Sequence, residues 1–283
     1  MTDWPARSNT NLEAVEAVQG RLPVSLIMVP RADLVTCRPD ETVSDINAKN
    51  TDRFSYWPVI DDAGGIIGLH HAEPWFDIGA PNETVAARME PLCETNLIGA
   101  DASILDFVRF ADREPIKLVV SGKTVAGLVS LSDLQQLPVR AALFMLITNL
   151  EIQMAEIITR RWELYEDWMQ VLNQTRQDKV REKYAESLAA DGLIDPILFT
   201  DFCDKKELLL ACRYPSLPTT STARKLRAVE RVRNSIAHAS DFALTPDQAR
   251  TVAKTVREMM ALKAVLENEL SSPAVSQLLS SSS

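Results

Sequence analysis

Two stretches of sequence decide the fold of the first half of the chain, YWPVIDDAGGIIGLHH at residues 56–71 and PIKLVVSGKTVAGLVS at residues 115–130. Each contains an apolar run, a turn with glycine or aspartate, and a second apolar run, which is the pattern of a β-hairpin. A short strand and an amphipathic helix precede each hairpin. In the two copies these segments are Leu34–Cys37 with Thr42–Lys49, and Asn96–Gly99 with Ala102–Ala111. The sequence therefore predicts one β-α-β-β-α unit used twice, with the two copies packed together.

The periodicity of the sequence changes near Leu137, from short β-rich segments to helical patterns that continue almost to the C-terminus. The chain has 283 residues, of which 46% are apolar and 24% charged, so it can form two ordinary globular cores. We therefore predict an α+β sensor unit at residues 22–137 and an all-α domain at residues 138–270. Residues 1–21 are expected to be an N-terminal extension and the serine-rich residues 271–283 a disordered tail.

The N-terminal segment contains Asp3, Glu13 and Glu16 and lacks the basic and then apolar pattern of a signal segment. No run approaches 18 consecutive apolar residues, so we expect a cytoplasmic protein without a membrane span. The four cysteines occur singly, and the three histidines do not stand at metal-ligand spacing from them. We therefore expect no metal site and no catalytic cofactor.

The second hairpin runs into GLVSLSDL at residues 127–134, which is glycine, two apolar residues, serine, two residues and aspartate. With the repeated layout, this motif makes residues 22–137 resemble a tandem CBS (cystathionine-β-synthase) module. The resemblance implies a regulatory adenine nucleotide (AMP, ADP or ATP) whose ribose and phosphate contact Ser130, Ser132 and Asp133. Hydroxyls at the start of a helix suit a phosphate, and a carboxylate suits ribose hydroxyls. The alternative is that these residues only cap the following helix.

The first copy departs from this motif. Its sequence GLHHAEP at residues 68–74 places His71 where the pattern has serine or threonine, and Pro74 where it has aspartate. We therefore expect a degenerate first site and one ligand per chain.

The helical half begins with Val139–Asn173, 35 residues without glycine or proline, which predicts one helix about 52 Å long. Trp162, Tyr165 and Trp168 recur in it at helical spacing, and core or subunit-interface packing explains them better than base stacking. Further helices are predicted at Arg176–Ala190, Pro196–Cys212, Thr222–Ala239 and Pro246–Leu270.

The net charge of −9 argues against a protein that coats nucleic acid, but one local basic stretch is present. Between residues 222 and 240, five positive side chains stand against the single Glu230. Any polyanion chemistry is expected on this helix. The positive side chains are Arg224, Lys225, Arg227, Arg231 and Arg233.

The stretch RNSIAH at residues 233–238 has arginine, a polar residue, three residues and histidine, inside a helical domain of suitable size. It resembles the motif of HEPN domains, which implies metal-independent RNA cleavage by attack of the ribose 2′-hydroxyl on the adjacent phosphate. His238 would then transfer protons, Arg233 would stabilise the developing charge, and Asn234 would orient either partner. Arg224, Arg227 and Arg231 would contact the RNA.

On an ideal helix, Arg233 and His238 lie about 140° apart, so one straight helix does not aim both groups at one point. Either the helix distorts near Ser235 or a second subunit completes the site, and the HEPN resemblance implies the second case, a homodimer. We therefore expect an endoribonuclease that is regulated by an adenine nucleotide. One alternative is a non-catalytic regulator whose helical domain binds a partner protein or nucleotide. The other is a toxin of a toxin–antitoxin or phage-defence system, with an antitoxin protein as a possible partner.

Overall fold

The computed structural model describes residues 21–162, 164–192, 194–237 and 242–271. Within these residues the chain forms two compact units, one of residues 22–139 and one that begins at Arg140.

The first unit contains seven strands and three short helices. Both predicted hairpins are present, as β2–β3 and β6–β7. Helices α1 and α3 begin after Thr42 and Ser103, whose side-chain oxygens accept backbone N–H groups of the first turn. The strands are β1 (Val29–Pro30), β2 (Tyr56–Ile60), β3 (Ile66–His71), β4 (Glu90–Pro91), β5 (Leu97–Gly99), β6 (Ile116–Ser121) and β7 (Thr124–Ser130), and the helices are α1 (Val43–Lys49), α2 (Val85–Arg88) and α3 (Ile104–Val108).

The seven strands form two sheets, ordered β1-β7-β6-β5 and β2-β3-β4. Each sheet contains one hairpin and one short edge strand that precedes the other copy of the repeat in the chain. Thus β1 pairs antiparallel with β7 of the second copy, and β4 pairs antiparallel with β3 of the first. The two copies therefore exchange edge strands.

The predicted strand Leu34–Cys37 is wrong. A 3-10 turn at Arg31–Asp33 comes first, and only Cys37 pairs, through a single parallel bridge to Val59. The pairing ends there because Pro39 has no N–H to donate and the chain turns, with the backbone N–H of Arg38 donating to Glu41 at 2.7 Å. The helices that were expected to close each copy are 3-10 turns, Glu73–Trp75 and Leu131–Gln135.

One apolar cluster of the first unit lies between the two hairpins, and another forms around Trp57 and Val59 of β2. Apolar side chains from β3, β6 and β7 are buried together, with Tyr56 and Ile60 of β2 packed against them. Alternation places Ile116 and Leu118 of β6 on this face, and the irregular register of β2–β3 next to Ile60 places Ile66 on the same face as Leu69. The buried members of this cluster are Ile66, Leu69, Ile116, Leu118 and Leu128.

The second unit is helical throughout its described residues. Its helices are α4 (Leu137–Arg161, which begins in the first unit), α5 (Tyr165–Met169), α6 (Gln174–Ala189), α7 (Phe202–Ala211), α8 (Thr219–Ala237) and α9 (Pro246–Ser271).

The prediction of one helix across Val139–Asn173 is wrong. Helix α4 ends at Arg161, Leu164 is extended, and α6 begins only after Asn173, whose side chain accepts the N–H of Arg176 at 3.1 Å. No glycine or proline is needed for this break, because burial of Trp168 and Met169 in α5 compensates for the lost helical hydrogen bonds.

The prediction of one helix across Pro196–Cys212 is also wrong, since a 3-10 turn at Pro196–Phe199 precedes α7. Asp201 stands between them as the N-cap of α7, and its N–H donates to Asp204 at 2.8 Å. The Arg176 guanidinium of α6 donates to the carboxylates of Asp201 and of the buried Asp204. This ion pair joins α6 to the start of α7 and fixes the break.

Among the described residues, one helix, α4, is long and apolar enough to cross a membrane by length and composition. Of its most apolar 18-residue window, 61% is buried inside the protein. Most of its apolar side chains are therefore used in packing, as in the core helix of a folded domain.

Candidate functional site

The motif serines and aspartate form one hydrogen-bonded turn at the end of β7. The backbone N–H of Ser130 donates to Asp133 Oδ2 at 2.7 Å, and Ser130 Oγ lies 3.2 Å from the same oxygen. Asp133 Oδ1 accepts from Gln136 Nε2 at 2.9 Å, and that amide also donates to the carbonyl of Ile27 at 2.8 Å. The turn is therefore held both by its own atoms and by the segment before β1.

Asp133 is buried, with 6% of its surface exposed. Burial raises the pKa of its carboxyl, while the hydrogen bonds from Ser130 and Gln136 act in the opposite direction. A carboxylate has about four acceptor positions, and the turn uses three of them. This is the bonding of a cap, the alternative that the sequence left open. If Asp133 also accepts a hydrogen bond from a ribose hydroxyl, it has to use the one acceptor position that is left, which is on Oδ1.

The hydroxyl groups of Ser130 and Ser132 lie 2.8 Å apart, and either can be the donor. Ser132 is exposed and Ser130 partly exposed. The single proton of the Ser130 hydroxyl can be donated either to Asp133 Oδ2 or to Ser132, and in the second case the Ser132 proton is free to be donated to an anion. The helix that was expected to follow them is only the 3-10 turn Leu131–Gln135, since Gln136 is extended and α4 starts at Leu137. The helix dipole therefore contributes little here, and the hydroxyls carry the polar chemistry.

The register of the two hairpins identifies the residue of the first copy that is equivalent to Ser130. Ser130 lies opposite Ile116, and His71 lies opposite Tyr56 in the equivalent place. The rings of Tyr56 and His71 stack with centroids 4.4 Å apart and planes 5° apart. An aromatic pair thus occupies the position at which the second copy has a hydroxyl.

The first copy contains two buried polar groups that no motif in its sequence indicates, the His70 ring and the Trp57 indole N–H. His70 is 1% exposed and lies opposite Trp57, and neither His70 ring nitrogen nor Trp57 Nε1 has a hydrogen-bond partner among the described residues. Burial, and then the charge of His71, lowers the pKa of His70. The sequence contained one indication of this burial. Side chains alternate between the two faces of a strand, so one of the adjacent histidines, His70 or His71, has to face the core.

The motif glycines have a structural role that the two copies share. A Cβ on Gly127 would lie 2.3 Å from the carbonyl oxygen of Val29 in β1, and a Cβ on Gly68 would lie 2.5 Å from that of Glu90 in β4. Both glycines therefore permit the close approach of the exchanged edge strand.

Helix α8 has the amphipathic arrangement expected of the basic stretch. Arg224, Arg227 and Arg231 are exposed. Glu230, the single acid of the stretch, is paired with Lys206 at 2.6 Å, so the exposed face is more positive than the sequence count indicates. The opposite face is buried through Leu226, Val229, Val232 and Ile236.

Arg233 has a partner that the sequence did not indicate. Its Nε lies 3.7 Å from Glu151 Oε1 of α4, and its Nη1 lies 3.5 Å from the Oδ1 of the exposed Asn234. The structure therefore brings Arg233 and Asn234 together, whereas His238 lies outside the described residues. Glu151 also acts on the buried Lys205, which donates to the carbonyl of Thr200 at 2.6 Å. Burial lowers the pKa of Lys205, and Glu151 acts against that shift.

One group of potential metal ligands occurs in the described part of the chain, where donor atoms of Asp201, Cys203 and Asp204 lie within 4.8 Å of one another. Both carboxylates already bind the guanidinium of Arg176. This cluster is therefore an ion pair between α6 and α7.

No protein-family model and no curated protein matches the chain. Among solved structures, it is similar to the CBS domain of a bacterial CNNM/CorC family Mg²⁺ transporter in complex with ATP, at 22% identity and a TM-score of 0.36, over 44% of this chain and 92% of that one. CBSX2, a CBS-pair protein of Arabidopsis thaliana, matches in complex with AMP at 19% identity and a TM-score of 0.35, over 43% and 96%. A hemolysin-like CBS protein of Oenococcus oeni PSU matches at 18% and 0.33, over 44% and 94%. These likenesses are of the fold in the N-terminal half, and identities and scores this low extend them no further.

Proposed function

We propose that residues 22–139 bind an adenine nucleotide and that this binding regulates the helical unit. The observation that carries the proposal is the hydroxyl pair at the end of β7, in which Ser132 is exposed and Ser130 partly exposed. Asp133 fixes the backbone beneath this pair, so the hydroxyls are held in place before a ligand arrives. Such preorganisation lowers the entropic cost of binding a phosphate or ribose.

The nucleotide proposal is tested by thermal melting with AMP, ADP and ATP. A ligand that binds the folded state raises the melting temperature as its concentration increases. We expect this shift in the wild type and its loss in the Ser130→Ala/Ser132→Ala double variant. Ser121→Ala is the control, since Ser121 is exposed at the opposite end of the same hairpin. An unchanged shift in the double variant would exclude the site.

The activity that we propose for the helical unit is metal-independent RNA cleavage, with the site completed by a second copy of the chain. The specific observation in its favour is the exposed positive face of α8, with Arg233 and Asn234 adjacent in the next turn. This face suits the phosphates of a single RNA strand.

The test is incubation of the purified full chain with mixed RNA in EDTA, with and without ATP. We expect products with cyclic phosphate ends, and the loss of cleavage in Arg233→Ala and His238→Ala. The exposed Lys123→Ala in the first unit serves as the control for general loss of positive charge. Equal RNA decay with wild type and both variants would exclude catalysis and favour the non-catalytic regulator. Toxicity on expression that His238→Ala relieves would instead favour a nuclease of the toxin type.

A further inference from the structure

A cavity of about 410 Å³ lies in the helical unit, between the end of α4, helices α5 and α6, and the 3-10 turn at Pro196–Phe199. This volume is in the range of sites for small organic ligands. Four aromatic side chains line it, and one carboxylate stands among them. They are Trp162, Tyr165, Trp168, Tyr184 and Asp195.

The aromatic rings belong to Trp162, just after the end of α4, and to helices α5 and α6. Trp168 of α5 is 1% exposed and packed in place, while Trp162, Tyr165 and Tyr184 are partly exposed. The rings of Tyr165 and Tyr184 meet edge to face, with centroids 5.6 Å apart and an interplanar angle of 62°. The sequence predicted core or subunit-interface packing for Trp162, Tyr165 and Trp168, and of these three Trp168 is buried in the chain.

The charge of the cavity selects the class of ligand. Asp195 is exposed, and its Oδ1 accepts the N–H of Ile197 at 3.0 Å. Of the described residues that line the cavity, Asp195 is the only charged one. The faces of aromatic rings attract cations. The guanidinium of Arg161 already lies 6.0 Å from the centroid of the Trp162 ring.

We propose that this cavity binds an organic cation of the quaternary ammonium type. The methyl groups of such a cation contact the aromatic rings, the rings stabilise its charge, and Asp195 adds long-range attraction. A cation without N–H groups suits the cavity because ring faces and a carboxylate stabilise its charge without hydrogen bonds from the ligand. The cavity lies apart in sequence from Ser130 and from Arg233, so this proposal is independent of both proposed activities.

The test uses choline as the probe and 3,3-dimethyl-1-butanol as its neutral isostere, which has carbon in place of the charged nitrogen. Binding of each to the 283-residue chain is followed by ligand-observed NMR. We expect choline to bind about tenfold more tightly, the effect of two partly exposed cation–π contacts of about 0.7 kcal/mol each. Equal affinities, or no binding of choline, would overturn the proposal.

Variants separate a cation site from a plain apolar cavity. Tyr184→Leu removes a ring and should weaken choline binding about tenfold, whereas Tyr184→Phe keeps the ring and should leave binding nearly unchanged. Asp195→Asn retains an N-cap residue for the 3-10 turn, so the fold is kept while choline binding weakens. Tyr214→Leu is the control, since Tyr214 belongs to the same unit but does not line the cavity. Unchanged choline affinity in both Tyr184→Leu and Asp195→Asn would contradict the proposal.

Discussion

Nε of Arg233 on α8 lies 3.7 Å from Oε1 of Glu151 on α4, so the arginine of the proposed cleavage motif is held by a carboxylate 82 residues earlier in the chain. The two side chains are 42% and 25% exposed, so solvent weakens the pair. An ion pair of this kind contributes at most about 1 kcal/mol to stability. It nevertheless sets the direction of the guanidinium and competes with a phosphate for it.

The first prediction follows from this pair. Glu151→Gln should release Arg233 and raise RNA cleavage by up to about fivefold, the equivalent of about 1 kcal/mol. Arg233→Ala should instead lower the rate about 10²-fold or more. Single-turnover cleavage assays measure both. A Glu151→Gln protein as slow as Arg233→Ala would mean that Glu151 takes part in the chemistry rather than restraining Arg233.

The second prediction concerns the stability of the motif turn. Asp133→Ala removes three hydrogen bonds to a buried carboxylate and leaves the N–H of Ser130 without its partner. We expect a loss of about 2 kcal/mol in the free energy of unfolding, measured by urea denaturation. Asp62→Ala, at a fully exposed side chain, should change it by less than about 0.5 kcal/mol. Because Asp133→Ala damages the turn itself, a loss of nucleotide binding in this variant would not show that Asp133 contacts the ligand. The Ser130→Ala/Ser132→Ala variant is therefore the sharper test of the site.

The third prediction concerns the exchanged edge strands. Gly127→Ala would place its Cβ 2.3 Å from the carbonyl oxygen of Val29, and backbone atoms cannot move aside cheaply. The strand β1 must shift or detach, at a cost of about 2 kcal/mol in the free energy of unfolding. Gly79→Ala is the matched control, since nothing lies within 4 Å of its added methyl group. Similar unfolding midpoints for the two variants would show that β1 does not pack against β7 as described.

The fourth prediction is a pH dependence. The pKa of His70 is lowered in the folded state, mainly by burial, so the unfolded chain binds a proton more readily. Its contribution to stability is therefore complete above the unfolded pKa of about 6.5 and is lost as the pH falls below that value. The loss is at most about 1.4 kcal/mol per pH unit. Denaturation between pH 7 and pH 5 should show a steeper decline for the wild type than for His70→Leu, and parallel declines would contradict the prediction.

The fifth prediction concerns regulation. Helix α4 runs without interruption from Leu137, in the first unit, to Arg161 in the second. Ala141→Pro, at an exposed position, breaks this helix at a cost of about 3 kcal/mol. If α4 transmits the signal, this variant should bind nucleotide and retain basal cleavage but lose control by nucleotide, whereas Ala141→Ser keeps it. Regulation that survives in Ala141→Pro would show that the signal takes another route. Coupling between sites is typically about 1–3 kcal/mol, or 5- to 150-fold in activity, so its loss is measurable.

Local patterns were sufficient to predict the two hairpins. Strand alternation and turns such as the one at Gly64 and Gly65 act between neighbours in the sequence, so β2–β3 and β6–β7 follow from short segments alone. The amphipathic face of α8 was predictable for the same reason, because it depends on spacing within a single helix. The motif likewise located Ser130 and Ser132 at the end of a strand.

Long-range packing decided the rest. Strands β1 and β4 have two residues each, and their partners lie about 100 and 20 residues away in sequence, so no local pattern could identify them. The end of α4 at Arg161 depends on where Trp168 is buried, and helical propensity is too weak to oppose that burial. The anchoring of the motif turn to Ile27 and the pairing of Arg233 could not be read from the sequence either, since Gln136 binds the Ile27 carbonyl across 109 residues and Glu151 contacts Arg233 from another helix. A motif specifies which chemical groups are present. Whether such a group already has a hydrogen-bond or ion-pair partner within the protein depends on how the chain packs.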